Sequence, residues 1–127
     1  MTASGWTHGE LDAIGGADEL RIAPLDADGA PRRAVPIWVV RVGDDLYVRS
    51  YRGTDGAWYR AARKRRAGRV QAGGVSKDVT FRDAAPDVTQ DIDAAYRDKY
   101  ARFAGYLPPM LTDQARATTL RLVPTDR

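Results

Sequence analysis

The sequence predicts an α+β fold in which a six-stranded antiparallel sheet, built from hairpins, closes into a barrel with flanking helices. Short apolar, β-branched runs alternate with Gly-, Asp- and Pro-containing turns, which is typical of hairpins. One helical stretch falls between strands three and four, and a longer one precedes the last strand. At 127 residues and 43% hydrophobic, the chain can bury one core, so we expect a single domain over residues 1–127.

The first elements are predicted from a capping motif and three apolar runs. Thr7 and Glu10 have the T-x-x-E spacing of a capping box, so a short helix should begin there. Runs 19–25 and 34–42 flank a turn containing Asp-Gly-Ala-Pro and predict a hairpin. In run 46–51 the residues Leu, Val and Ser alternate with Tyr, Arg and Tyr, and we expect one of the two faces to be buried.

A basic helix and a second hairpin follow. Thr54 offers a cap before the helix-forming stretch 57–66, and Gly68 is expected to end this helix. Runs 69–72 and 75–81 surround a Gly-Gly turn and predict a hairpin whose second strand buries alternate residues. This part of the chain therefore adds strands four and five.

The last third predicts a long helix and a closing strand. The helix begins near Pro86, Thr112 caps a short helical turn, and 118–123 is the final strand. The residues that recur every three or four positions in the long helix form one apolar stripe: Val88, Ile92, Ala95, Tyr96, Tyr100 and Phe103. That stripe should pack against the sheet.

Composition sets several chemistries aside. The chain has no cysteine, and His8 is its only histidine, so disulfides, thiolate nucleophiles, zinc sites and histidine triads all lack their residues. The acidic pairs Asp44–Asp45 and Asp91–Asp93 are expected on a turn and on a helix surface, whereas a glycosidase needs opposed, partly buried carboxyl groups. Metal-dependent and triad hydrolases are therefore disfavoured, and no metal site is predicted.

Charge and hydropathy bear on location and partners. No apolar run approaches the roughly 20 residues that span a bilayer, and the N-terminus lacks a signal-peptide layout, so we expect a cytoplasmic protein without membrane contact. The net charge of +3 is local, since residues 60–69 contain six cations and no acid. Nucleic-acid binding through this helix is the third hypothesis, because no aromatic residue interleaves the cations.

Five segments resemble those of a known superfamily in their order along the chain and in their residue types. Segments 21–25 and 28–31 resemble the first strand and D-G-x-P turn of pyridoxamine phosphate oxidases, and 36–40 resembles their second strand. Segments 50–53 and 57–61 resemble the glycine-containing turn and Trp-Tyr helix start of deazaflavin-dependent nitroreductases. Three later tyrosines resemble those of the same branch: Tyr96, Tyr100 and Tyr106. The chain thus resembles the flavin-binding split-barrel superfamily. Within that superfamily, its whole-chain pattern is most similar to an uncharacterised family.

The resemblance implies a split β-barrel, a cofactor and an assembly. The cofactor would be flavin mononucleotide (FMN) or the deazaflavin coenzyme F-420. The superfamily places it at a two-fold interface, so a homodimer is expected. The implied chemistry is hydride transfer between the cofactor and a small organic molecule.

Candidate site residues lie around the third strand and the basic helix. A phosphate needs convergent cations or helix N-terminal amides, and Arg offers a bidentate fork. Aromatic rings could stack on the flavin. The cofactor-binding candidates are Arg49, Ser50, Tyr51, Arg52, Gly53, Trp58, Tyr59, Arg60 and Lys64. Tyr106 is a catalytic candidate that could donate a hydrogen bond to the substrate.

Other interpretations stay open for these residues. Arg63–Arg66 would on one view form a solvated helix face, and Trp38 and Tyr100 would pack in the core. Arg60-Ala61 stands where many relatives have Asn-Leu, which favours a second hypothesis for the whole protein. In that hypothesis the barrel binds another small molecule without a flavin cofactor.

Overall fold

The computed structural model describes residues 5–125, over which four α-helices and seven strands form. No helix in this range is long and apolar enough to cross a membrane. The elements are α1 (His8–Gly15), β1 (Leu20–Pro24), β2 (Val35–Ile37), β3 (Val40–Val42), β4 (Asp45–Val48), α2 (Ala57–Arg65), β5 (Ala67–Ala72), β6 (Val75–Asp83), α3 (Thr89–Lys99), α4 (Asp113–Arg116) and β7 (Leu120–Pro124).

All strands join one antiparallel sheet in the order β2-β1-β5-β6-β7-β4-β3. β2 and β3 lie at its two edges, yet only Trp38 and Val39 separate them along the chain. The sheet must therefore curl until its edges approach, which gives the predicted α+β barrel. The run 34–42 was expected as one strand, and its division at Trp38–Val39 is why there are seven strands instead of six.

Tyr100 holds the break between β2 and β3. Its hydroxyl accepts a hydrogen bond from the Val39 amide at 3.1 Å and lies 2.8 Å from the Asp18 carbonyl. Burial raises the pKa of Tyr100 to about 12, so the hydroxyl keeps its proton at neutral pH and can donate. The Lys99 ammonium donates to the Val39 carbonyl at 2.6 Å. The backbone groups of Val39 that leave the ladder at this break are thus satisfied by side chains at the C-terminal end of α3 and directly after it.

Local sequence patterns are confirmed where neighbouring residues decide the structure. The Thr7 hydroxyl accepts from the Glu10 amide, and the Glu10 carboxylate accepts from the Thr7 amide, as a capping box requires. The β5–β6 hairpin pairs Ala72 with Val75 across its Gly-Gly turn. Val79 and Phe81 of β6 are buried, on the face that the alternation predicts.

Two core clusters explain where the expected burial of β4 differs from the structure. Leu46 and Val48 point into the barrel, as the alternation predicts, and belong to the first cluster. Tyr47 and Arg49 were expected on an open face but are 4% and 1% exposed. α3 packs against the outside of β3, and the apolar stripe of α3 forms the second cluster there with Tyr47. Both faces of this strand region are therefore covered.

The ends of α2 differ from the prediction for backbone reasons. Thr54 lies in a 3-10 turn (Gly53–Asp55), and the N-cap is Gly56, which has no side chain to accept a cap hydrogen bond. The helix ends at Arg65, and its C-cap Arg66 adopts a left-handed φ of 62°, so the chain enters β5 before Gly68. Gly68 instead allows close packing in the sheet, because a Cβ there would lie 2.8 Å from the Ala23 carbonyl.

Candidate functional site

A cavity of about 590 Å³ opens beside β2 and the start of α2. We call it the aromatic cavity, because most of its wall consists of aromatic and apolar side chains. Its lining residues are Asp18, Glu19, Pro36, Ile37, Trp38, Arg49, Tyr51, Trp58, Phe103, Tyr106 and Met110.

Flat surfaces make up much of this wall. Trp38 is half-buried and stacks on Tyr100, with ring centroids 3.9 Å apart and planes 4° from parallel. Phe103 leans against Trp38 at 6.0 Å. Tyr51 and Tyr106 line the same cavity while remaining 54% and 64% exposed. The cavity therefore offers a rigid aromatic floor and two exposed rings at its opening, a shape that suits a planar ligand.

Arg49 also lines the aromatic cavity and is 1% exposed. Its Nε donates to the Thr119 hydroxyl at 2.9 Å, and Nη1 donates to Asp93 at 2.6 Å and to the Met110 carbonyl at 3.0 Å. The guanidinium lies over the Tyr96 ring, with Cζ 5.4 Å from its centroid. Among the described residues, Nη2 of Arg49 has no hydrogen-bond partner. One donor nitrogen of a buried cation is thus left for a ligand or for water.

Asp93 compensates the buried charge of Arg49. Its second oxygen accepts from Nε and Nη2 of Arg116 at 3.0 and 2.7 Å. Burial by itself raises the pKa of the Asp93 carboxyl, but the bonds from Arg116 and Arg49 outweigh it and leave the pKa lowered. The carboxyl is therefore ionised at neutral pH. Arg49, Asp93 and Arg116, which we call the buried ion network, carry one net positive charge.

The start of α2 forms a second feature beside the aromatic cavity. The first amides of a helix have no intrahelical partner, and Gly56 provides no cap for them. The Ser50 hydroxyl, on a residue 1% exposed, has no partner among the described residues. A Cβ at Gly56 would collide with this hydroxyl, so only glycine lets the hydroxyl lie this close to the start of α2. An uncapped helix start next to an orphaned hydroxyl suits an anion.

Arg60 and Lys64 lie elsewhere, in what we call the cationic groove. Two adjoining depressions of about 320 and 340 Å³ share Arg32 and Ala57 in their lining. Arg33 lines the first depression, and Arg60 and Lys64 line the second. The groove is defined by its four cations: Arg32, Arg33, Arg60 and Lys64.

The structure therefore divides the predicted site residues into groups. Arg49, Tyr51, Trp58 and Tyr106 line the aromatic cavity. Ser50 and Gly53 are buried between β4 and α2, and Arg52 is exposed beside them. Tyr59 is 3% exposed in the barrel core, where its hydroxyl accepts from Arg63, and it lines none of the cavities described above. Arg60 and Lys64 face the cationic groove.

Sequence reasoning missed the role of Asp93. It was placed on a helix surface with Asp91, but only Asp91 is exposed, and the side chain of Asp93 is 7% exposed. Asp93 precedes Tyr96 and Tyr100 by three and seven residues, so helical periodicity places all three on one face. That spacing, together with an arginine inside an apolar strand, is a pattern from which the pair could have been predicted.

Comparison with known proteins assigns the family. Residues 10–122 match the model of the family described as "Uncharacterized protein conserved in bacteria (DUF2255)". The chain belongs to this family. No curated protein matches the chain. Membership of DUF2255 agrees with the uncharacterised split-barrel pattern noted in the sequence.

Solved structures show the fold of this DUF2255 protein. The heme storage protein HutZ from Vibrio cholerae is 13% identical with a TM-score of 0.63, covering 91% of this chain and 87% of that one. An F420 reductase is 17% identical (TM-score 0.54; 95% and 97% covered). A FAD-binding protein from Mesorhizobium loti is 16% identical (TM-score 0.57; 95% and 91% covered). The chain therefore has the split-barrel fold of these proteins.

Proposed function

We propose that this DUF2255 protein binds a flavin-type cofactor and transfers a hydride between that cofactor and a small organic molecule. The observation that carries the proposal is the aromatic cavity lying next to an uncapped helix start with an orphaned serine hydroxyl. A flavin needs the same two features, a flat apolar slot and an anion site beside it. The F420 reductase and the FAD-binding protein with this fold support a flavin-type ligand.

The phosphate would bind at the start of α2. Ser50 and the amides of Ala57 and Trp58 supply donors there, and the exposed Arg52 is close in sequence. The dipole of α2 adds a partial positive charge to this end. Gly56 is needed in this arrangement, because a Cβ at this position would displace the Ser50 hydroxyl that is proposed to donate to the phosphate.

The planar ring would occupy the aromatic cavity. Trp38, backed by Tyr100, supplies a stacking surface, and Nη2 of Arg49 can donate to an acceptor atom of the ligand. The bound flavin or deazaflavin would supply hydride chemistry itself. The protein would then orient the ring, exclude water from one face and bind the second molecule through the hydroxyl of Tyr106. This role explains why no acid–base pair is needed.

A second copy of the chain would complete the site. Among the residues that the structure describes, Tyr51 and Tyr106 are the large hydrophobic side chains that remain exposed, and both line the aromatic cavity. Exposed aromatic rings around an open cavity are typical of an interface. The proposal is therefore a homodimer in which each cavity is closed by the partner, with a small molecule as the second substrate.

The test is a titration of the purified protein with FMN and, separately, with the deazaflavin coenzyme, followed by absorbance and fluorescence. Native mass spectrometry of the same samples reports the assembly. Gly56→Ala should weaken binding about tenfold or more, because a charged hydrogen-bonding site is lost. Gly105→Ala is the matched control, since a Cβ there meets open space.

Two results would contradict the proposal in different ways. If neither cofactor binds at micromolar protein concentrations, the barrel binds a different small molecule and the redox function is wrong. If a cofactor binds equally well to Gly56→Ala, the phosphate does not lie at the start of α2, although a flavin function would survive.

A further inference from the structure

We infer that the cationic groove is a second anion-binding subsite, so that the preferred ligand carries a polyanionic tail beyond its first phosphate. This inference rests on the proposed function, because it assigns the class of cofactor that the same site takes. FMN ends at one phosphate, which the start of α2 can bind. Flavin adenine dinucleotide continues into a pyrophosphate, and the deazaflavin coenzyme continues into an acidic peptide tail. The shared chemistry is a second anionic group further along the ligand.

The first argument comes from residues 60–69, which contain six cations, because only some of these cations have partners in the structure. Four of the six cations are engaged: Arg63 with the Tyr59 hydroxyl, Arg65 with the Ala27 carbonyl, Arg66 with Asp83 and Arg69 with Asp78. Arg60 and Lys64 form no side-chain hydrogen bond or ion pair with any described residue. The two unengaged cations are the two that face the groove.

The second argument is that these cations converge with two others from a different part of the chain. Arg60 and Lys64 are four residues apart and therefore share one face of α2. Arg32 and Arg33 lie in the connection between β1 and β2, and neither forms an ion pair with a described residue. Arg32 lines both depressions of the groove, and no acidic residue lines either one. Two separate segments thus bring unpaired positive charge to one concave surface.

A neighbouring depression contains one carboxylate, but that group accepts hydrogen bonds from backbone amides of its own turn. Asp26 lines it together with Arg32 and Lys64. The Asp26 Oδ1 accepts hydrogen bonds from the Asp28 and Ala30 amides at 2.9 and 3.1 Å and so stabilises its own turn. No ion pair joins Asp26 to a described cation. Like charges four residues apart on a helix repel each other, and the one nearby carboxylate forms no ion pair with them, so an anionic ligand is the natural complement of this arrangement.

The third argument is continuity with the proposed cofactor site. Trp58 lines the aromatic cavity and also the depression that contains Arg32, Arg33 and Ala57. Ala57 is the first residue of α2, where the first phosphate is proposed to bind. A ligand with its ring in the cavity can therefore pass Trp58 and Ala57 and extend its tail into the cationic groove.

The experiment compares dissociation constants for FMN, flavin adenine dinucleotide and the deazaflavin coenzyme at 150 mM salt, a concentration of about physiological ionic strength. The variant Arg60→Gln/Lys64→Gln removes two groove charges from an exposed helix face. The control Arg82→Gln/Arg97→Gln removes two exposed charges that line neither the cavity nor the groove. Both double variants change the net charge equally, and melting temperatures report whether each is folded.

We expect at least one long-tailed cofactor to bind about tenfold or more tightly than FMN, through the extra charged hydrogen bonds. The groove variant should lose that advantage while binding FMN as the wild type does, and the control should change neither. Which long-tailed cofactor binds identifies the source of the tail. Equal binding of all three cofactors, or equal weakening of FMN in the groove variant, would overturn the subsite but leave the flavin function standing. Binding of none would overturn the proposed function itself.

Discussion

Two groups of cations in this protein have opposite surroundings. Arg49 of the buried ion network is 1% exposed and forms an ion pair with Asp93. Thr119 and Met110 accept two further hydrogen bonds from it, while its Nη2 has no partner among the described residues. The cationic groove is exposed and has no acidic residue in the lining of its two depressions. A buried charge must be paired because its desolvation is costly, whereas an exposed charge is solvated by water and stays available to a ligand. We therefore expect the buried ion network to stabilise the site, and we propose that the cationic groove binds an anion.

The largest effect should come from removing the carboxylate of the buried ion network. Asp93→Ala leaves Arg49 buried without its counter-charge, which should cost about 3–5 kcal/mol in the free energy of unfolding. Asp91→Ala, at an exposed position in the first turn of the same helix, should cost less than about 1 kcal/mol, which is the size of a helix-dipole contribution. Urea denaturation of the three proteins measures both values. Similar midpoints for the two variants would mean that the network adds nothing to stability.

A pH titration sharpens the same point. The pKa of Asp93 is lowered in the folded protein, so its ionised form favours folding above the unfolded pKa, near 3.9. This contribution is lost as pH falls through the lower, folded pKa. The difference in urea midpoint between the wild type and Asp93→Asn should therefore be large at pH 7 and shrink below about pH 4. A difference that stays constant over this range would exclude an ionic role for Asp93.

Sequence predicted most of what nearby residues determine. The Thr7 cap, the β5–β6 register and the apolar stripe of α3 depend on residues a few positions apart, and all appear in the structure. The break at Trp38–Val39 depends on Tyr100, 61 residues later in the chain. No local pattern in the run 34–42 contains that information, so a continuous strand was the natural prediction.

The same reasoning identified residues of the candidate site but not how the fold divides them between the aromatic cavity and the cationic groove. Arg49, Arg60 and Lys64 were assigned to one anion site, because they are close in sequence and carry the same charge. The fold directs Arg49 into a cavity wall and Arg60 into a separate groove. Asp93 and Arg32 decide the charge of those two places, and each comes from an element distant in sequence. Helical periodicity indicates the buried face on which Asp93 lies, but no local pattern places Arg32 beside Arg60 and Lys64, because that juxtaposition is a tertiary property.

The smallest effect is expected from the cationic groove, and its sign matters more than its size. Arg60→Gln/Lys64→Gln removes a like-charge pair at i, i+4, a spacing that costs an isolated helix about 0.2–0.5 kcal/mol. The free energy of unfolding without ligand should therefore stay the same or rise by about that amount, while cofactor binding falls. Urea denaturation of the ligand-free variant beside the wild type measures the change. A loss of more than about 1 kcal/mol would show that these side chains stabilise the fold, and the contrast with the buried ion network would fail.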